Sequence, residues 1–259
     1  MICPVIDLHC HILPGIDDGP RSLEEAIALC RVAERDGTRT LVATPHVNGD
    51  YPGVTAAVIA EQAAAVNRAL PGAGVDVGVR TGAEVALSRV GELSDSKLDL
   101  LTLGGGPYLL VELPWTSAAS GALSALSALA SRGYGIVLAH PERSPMLQRD
   151  DALVAELVQS GALCCLDVGS LTDRSDRTIR SLAWKLLADG LVHAIASDCH
   201  DAERRPPRLG SVLDQAGLSA EEIDYFTRRG PESILAGAEV PPAPRVESRR
   251  RRSWFGRSR

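Results

Sequence analysis

Aromatic side chains are scarce in this sequence. Phenylalanine, tryptophan and tyrosine make up 3% of the 259 residues, although 45% of the chain is hydrophobic. A core with few large rings is filled mostly by Ala, Leu, Val and Ile, and the alanine-rich stretch at 118–130 fits that. No apolar run reaches the roughly 18–20 residues that span a bilayer. No basic segment precedes an apolar one at the N-terminus, so no secretory signal is expected and a cytoplasmic location is. The six cysteines (Cys3, Cys10, Cys30, Cys164, Cys165 and Cys199) include no C-x-x-C pair. That argues against a thiolate zinc site and a disulfide framework, and for free buried thiols in a reducing compartment. A nucleophile elbow G-x-S-x-G is missing, which disfavours a Ser-His-Asp hydrolase. So is a G-x-x-x-x-G-K-[ST] phosphate loop. "GGG" at 104–106 has no helix behind it and reads as a tight turn, not a dinucleotide site.

What is present suits a soluble globular chain with 23% charged residues. Its length allows one large domain or two small ones. The net charge of −6 is unevenly spread: seven arginines and one acid from Arg245 onward leave that end at +6 and the other 244 residues at −12. An acidic body does not suit nucleic-acid binding. The segment "PPAPRVESRRRRSWFGRSR", 241–259, reads as a disordered Pro/Arg-rich tail behind a catalytic domain of residues 1–240. Its arginines, with Trp254 and Phe255, could touch anionic lipid or an acidic partner, or remain solvated.

Strand-like runs near 4–9, 39–44, 76–84, 108–113, 135–140, 162–168 and 192–197 alternate with helical patterns near 22–36, 54–69, 118–132, 150–159, 174–189, 206–216 and 220–229. A short turn is expected at 231–236, and 88–107 reads as loop with a short helix. In "SLEE", Ser22 caps the first helix and Glu25 reaches back to it. Gly37, Gly133, Gly161 and Gly190 follow helical stretches, as terminating glycines do. Strand and helix in regular alternation imply a parallel sheet with helices outside.

The metal-binding residue types fall at the carboxyl ends of these strands. His9 and His11 end the first, His46 the second, Glu84 the third, Glu112 the fourth and His140 the fifth, while Asp198 and His200 end the seventh. In a closed parallel barrel those ends converge on one face, where active sites are built. Alternation sends residues 9 and 11 to one side of a strand, so both imidazoles can meet one ion. Asp18, after the "PGI" turn, can lean over the same mouth. Five of the six histidines sit at such ends. His193 begins its strand instead and reads as a structural residue. Imidazole and oxygen donors suit zinc, manganese or iron(II). Nine donors are too many for one ion, so carboxylates are expected to bridge neighbouring ions, giving a cluster that makes hydroxide near neutral pH.

The ordered set "DLHCHILPGIDDGP", "VATPH", "AHPER" and "IASDCH…RPP" resembles the polymerase-and-histidinol-phosphatase (PHP) superfamily, and within it the bacterial capsular-polysaccharide protein-tyrosine-phosphatase branch. The likeness spans residues 4 to about 236. It implies an α/β fold, a distorted seven-stranded parallel β/α barrel, with about three divalent ions, usually manganese. It implies hydrolysis of phosphotyrosine on a membrane-associated tyrosine kinase of exopolysaccharide synthesis. The family's ligands fall on His9, His11, Asp18, His46, Glu84, Glu112, His140, Asp198 and His200. Its phosphate-contacting arginines fall on Arg143 and on Arg205, with Arg204 an equal candidate in register.

A phosphate monoester carries nearly two negative charges, so cations are needed around the transferred group. Arginine adds a planar fork matched to two phosphate oxygens. Arg143 could instead form a surface ion pair with Glu142 or Asp150. Cys199 and Arg205 have the C-x5-R spacing of thiolate phosphatases, but "HDAER" between them sets Asp201 and Glu203 where small residues should face phosphate. Two other readings remain: a small-molecule phosphatase of the histidinol-phosphate type, and a non-enzymatic metal-binding regulator.

Overall fold

The computed structural model describes residues 4–116 and 121–246, and among them nine strand segments pair, always in parallel. In chain order they are β1 (Val5–Cys10), β2 (Thr38–Ala43), β3 (His46–Val47), β4 (Gly78–Thr81), β5 (Glu84–Ala86), β6 (Tyr108–Glu112), β7 (Gly135–Ala139), β8 (Leu163–Asp167) and β9 (Ala194–Ala196). One sheet has the order β1-β2-β4 and the other β3-β5-β6-β7-β8-β9. The expected strand 39–44 is β2, and the chain pairs again as β3 beyond Pro45, which has no N–H to give a ladder. The expected strand 76–84 divides into β4 and β5 at Gly82–Ala83. A side chain at Gly82 would press on Val42 at 3.0 Å. Both strands therefore leave the first sheet and enter the second at matching points. At the other side, a parallel bridge joins Cys10 to Cys199. There His11 N donates to Cys199 O and Asp198 N to His9 O, each at 2.9 Å.

Helices lie where expected at Leu23–Arg35, Ala56–Ala69, Ala122–Ser131, Ala152–Gln159, Arg177–Asp189 and Gly210–Ala216. Positions 118–120 of the expected 118–132 helix lie outside the described residues. Ser22 caps the first helix, but Glu25 reaches Arg21 N at 2.7 Å, one residue before the position a capping box requires. The complete capping box is Ser219 with Glu222. The expected helix 220–229 is helical only to Asp224, widens into a π turn at Tyr225–Arg229 and continues as Gly230–Ala236. Gly230 permits this, since a Cβ there would sit 2.1 Å from His193 O. The 88–107 region holds short helices at Leu87–Val90 and Asp95–Leu98.

Alternation along the strands divides the core in two. Leu109, Val111, Ile136, Leu138, Cys164, Leu166 and Ile195 join the large layer under the helices. Leu110, Val137, Ala139, Leu163, Cys165, Ala194 and Ala196 form a second cluster, closed by Ile234 and Leu235. The second face continues two residues on to Glu112, Asp167 and Asp198. Thus the register that packs the core also delivers carboxylates to one end of the strands. The five described cysteines are free and buried; Cys3 lies outside the described residues.

Residues 241–246 do not behave as the expected tail. Tyr225 Oη donates to Pro241 O at 2.6 Å, and Val246 N donates to Leu187 O at 3.0 Å. Val246 is buried. The prolines that exclude a helix are compatible with an extended strap, which buries Val246 and packs Ala243 against the core. The arginine-rich remainder, 247–259, lies outside the described residues. Ending the chain at Val240 should remove about 2 kcal/mol of apolar burial and lower Tm by about 4–8 °C. Ending it at Val246 should leave Tm unchanged. Thermal melts of the three chain lengths check this, and equal Tm for the two truncations would show that the strap adds no stability.

His193 is structural, as expected. Its Nδ1 accepts from Cys164 N at 3.1 Å, and burial lowers its pKa from 6.5 to about 4. As pH falls, the unfolded imidazole takes up a proton near 6.5 while the folded one does not until about 4. Stability from this group is therefore full above that window and declines through it. The decline between pH 7 and pH 5 should be about 2 kcal/mol. His193→Asn keeps an acceptor and removes the titration, so its denaturant unfolding should lose less stability over that interval. An identical pH slope in the variant would rule the effect out.

Candidate metal centre

The carboxyl ends of the strands bring all nine expected donors together. All but His46 and Asp18 are buried. Glu84, the first residue of β5, is the hub. Its Oε2 lies 2.9 Å from His46 Nδ1 and 3.3 Å from both His9 Nε2 and His11 Nε2. Its Oε1 lies 2.8 Å from His140 Nε2. Asp198 Oδ1 is 3.5 Å from the same two nitrogens of His9 and His11. Asp18 bridges outward, 3.2 Å from His200 Nε2 and 3.6 Å from His46 Nε2.

Three sets of donors are close enough to hold a divalent ion: His9, His11 and Glu84; His11, Asp18, His46 and His200; and His46, Glu84 and Glu112. The local chemistry fits a cation. Glu84 Oε2 and His46 Nδ1 are buried and have no hydrogen-bond partner, although they are 2.9 Å apart. At that separation and outside hydrogen-bond geometry, the two atoms are placed as two donors to one cation would be. Oxygen and imidazole donors without thiolate suit Zn²⁺, Mn²⁺ or Fe²⁺.

Two of the expected donor positions use backbone conformations that side chains seldom adopt. His140 has φ 31° and Asp198 φ 48°. Left-handed backbone at non-glycine residues is costly and clusters at functional sites. At His140 it turns the chain sharply into the short helical turn Pro141–Arg143. That turn returns the Arg143 guanidinium over the donors, where Nη1 reaches Asp198 Oδ2 at 3.0 Å and Nη2 pairs with Asp167. The Arg143 pairing with Glu142 or Asp150 is not what is seen. Arg205 also pairs with Asp198 and lines the cleft, whereas Arg204 is exposed and does not. The cleft encloses about 380 Å³.

Charge is tightly balanced in this site. Burial opposes charge on His11, but Asp17 and Glu84 outweigh it and hold its pKa well above the ordinary value. Burial likewise opposes charge on His140, yet Glu84 beside it raises its pKa to about 9. Burial would raise Asp18, but His200 and its neighbours bring it down to about 2. Burial would also raise Glu84 and Asp198, and the surrounding imidazoles hold both well below the carboxylate range, with Arg205 assisting at Asp198. Burial and the charge of Glu84 push Glu112 upward. Every imidazole must give up its proton to bind an ion.

Four residues of this network were not singled out from the sequence. Asp17 accepts from His46 N at 3.1 Å and from Gly19 N at 3.1 Å, and lies 2.7 Å from His11 Nδ1. It fixes both the imidazole and the loop that carries Asp18. Gly19 is required there, since a Cβ would meet His11 O at 2.7 Å. Asp7 accepts from Ser197 N at 3.0 Å and ties β1 to the segment after β9. Asp167, at the end of β8, holds Arg143 and accepts from Gly169 N at 2.8 Å. Glu142 accepts from Asp167 N at 3.0 Å, and burial raises its pKa to about 7. Cys199 is completely buried and does not line the cleft, so the C-x5-R arrangement has no accessible nucleophile.

The sequence model of the family described as capsular polysaccharide synthesis, CpsB/CapC, matches residues 5–226. The chain belongs to the CpsB/CapC family. This is the branch its motifs resemble. Within it, the chain is 30% identical over 256 residues to the tyrosine-protein phosphatase YwqE of Bacillus subtilis (strain 168), covering 97% of this chain and 99% of that one. It is 29% identical over 217 residues to the tyrosine-protein phosphatase CpsB of Streptococcus pneumoniae, covering 81% and 88%. A crystal structure from work on YwqE and CpsB, described as unique metal-dependent tyrosine phosphatases, superposes with a TM-score of 0.77 at 30% identity, over 93% of this chain and 99% of that one. The phosphotriesterase homology protein of Escherichia coli, 13% identical, has a TM-score of 0.56 over 91% of this chain and 99% of that one and shares the fold alone. No helix among the described residues is long and apolar enough to cross a membrane.

Proposed function

We propose that this CpsB/CapC family member is a metal-dependent protein-tyrosine phosphatase of capsule or exopolysaccharide synthesis. The observation that carries the reading is Glu84 Oε2 within 3.3 Å of three imidazole nitrogens, in a cleft rimmed by two guanidinium groups. His9, His11, Asp18, His46, Glu84, Glu112, His140, Asp198 and His200 hold about three divalent ions, Mn²⁺ in this reading. When bound, such ions supply positive charge and activation of water for phosphomonoester hydrolysis.

The chain's own residues do the rest. Arg143 and Arg205 bind the non-bridging phosphate oxygens, offering N–H groups beyond those used on Asp167 and Asp198. Asp167 holds the second arm of the Arg143 guanidinium and would keep it aimed at the cleft with Asp198 engaged as a metal ligand. Asp17 holds His11 so that Nε2 faces the donors, the usual service of a carboxylate behind a ligating imidazole. Residues 4–246 form the catalytic unit. The two sheets are a distorted seven-stranded barrel in this reading, supported by the shared break at β2/β3 and β4/β5 and by the Cys10–Cys199 bridge. The substrate is a phosphotyrosine protein, a membrane-associated tyrosine kinase in the cytoplasm, and the basic residues 247–259 add weak contact with anionic lipid.

The test is turnover by the Mn²⁺-loaded chain of a phosphotyrosine peptide and of histidinol phosphate. The reading predicts at least a tenfold preference for the peptide in kcat/KM, on the scale of one well-placed contact. Preference for histidinol phosphate would move the chain to the small-molecule class, and no turnover of either would leave it a metal-binding regulator. In the same assay Cys199→Ser should keep most of the rate. An inactive Cys199→Ser that retains its ions would restore the thiolate mechanism.

A further inference from the structure

Thirteen residues line the cleft, and eleven of them have charged or polar side chains; the other two are Tyr51 and Trp115. In a chain with three tryptophans and four tyrosines, two rings at one small cleft is a concentration. Trp115 is 60% exposed, one of few large apolar side chains so placed among the described residues. It is nevertheless held. Its Nε1–H donates to Glu112 Oε1 at 2.8 Å, and its ring lies 6.0 Å from the His140 imidazole. Tyr51 stacks on His46 with ring centroids 5.8 Å apart and planes 3° from parallel. Each ring is thus moored to a metal-donor side chain.

Phosphate oxygens held by Arg143 and Arg205 beside the metal-donor set leave the ester substituent to emerge past the polar wall. An aromatic substituent needs an apolar partner, and among the lining residues only these two rings offer one. Ring–ring contact adds to what area burial alone provides. We propose that Trp115, with Tyr51 beside it, is a specificity-determining residue that selects an aryl over an alkyl phosphate by packing on the leaving ring. The inference rests on the phosphatase reading above and names the surface that reads its substrate class.

The indole has two functions that substitution can separate. Trp115→Phe keeps a ring and loses the N–H to Glu112. Trp115→Gln keeps an N–H donor and loses the ring. Calorimetry on the Mn²⁺-loaded full chain gives affinities for phenylphosphonate and methylphosphonate, and their ratio cancels any common loss transmitted through Glu112. The ratio should favour the phenyl compound in the parent and in Trp115→Phe, and fall roughly three- to tenfold in Trp115→Gln. An unchanged ratio in Trp115→Gln overturns the inference. Hydrolysis of 4-nitrophenyl phosphate by the parent chain is read alongside. A parent inactive on it overturns the phosphatase reading itself, whereas an active parent with an unchanged ratio overturns only the role of Trp115.

Discussion

Glu84→Gln should lose more than about 100-fold in kcat/KM and most of its bound metal. Disturbing a group that merely orients a ligand costs about 10–100-fold. Glu84 does more, since its two oxygens face His9, His11, His46 and His140 at 2.8–3.3 Å. It belongs to two of the three donor sets. The amide matches the carboxylate in shape, so circular dichroism should be unchanged while metal analysis falls. A Glu84→Gln chain with full metal content and near-normal turnover would remove Glu84 from the ligand set.

Arg143→Ala should separate phosphate binding from metal binding. Its guanidinium touches Asp167 and Asp198 and is not among the donors. A charge-assisted contact is worth about 1.5–3 kcal/mol, so kcat/KM should fall about 10- to 150-fold with metal content intact. Lysine should recover only part, because it brings a point charge and not a fork. Unchanged kcat/KM would reduce Arg143 to an ion pair that closes the site.

Much of this site was legible in the sequence because one rule generates it. Strands that alternate core and site residues, each followed by a helix, must deliver their last inward residues to one face. That rule found His9 with His11, His46, Glu84, Glu112, His140 and Asp198 with His200 without a contact map. Applied consistently it also reaches Asp167, which ends β8 just as Glu112 ends β6. Asp167 has no histidine beside it in the sequence to mark it, and its partner Arg143 lies on another loop. Asp17 was overshadowed by Asp18, its neighbour in "IDDGP", and only the folded loop separates the residue that orients His11 from the one that meets His200. Asp7 and Glu142 act on backbone N–H groups distant in sequence, at Ser197 and Asp167. Such contacts depend on strand order, which periodicity does not specify. The prolines at 241, 242 and 244 signalled the end of helix correctly, but they do not tell a packed strap from a free tail. Val246 makes that difference, through one buried side chain and one bond to Leu187.

In the proposed reading, ions held by these nine residues make the chain a phosphatase. The most direct measurement is ions per chain and phosphotyrosine-peptide turnover on the same sample, first stripped by chelator and then titrated with Mn²⁺. The stripped chain should show no turnover, and activity should rise with occupancy to a plateau near three ions. Full turnover by the metal-free chain, or three bound ions with none, would overturn the metal-dependent reading.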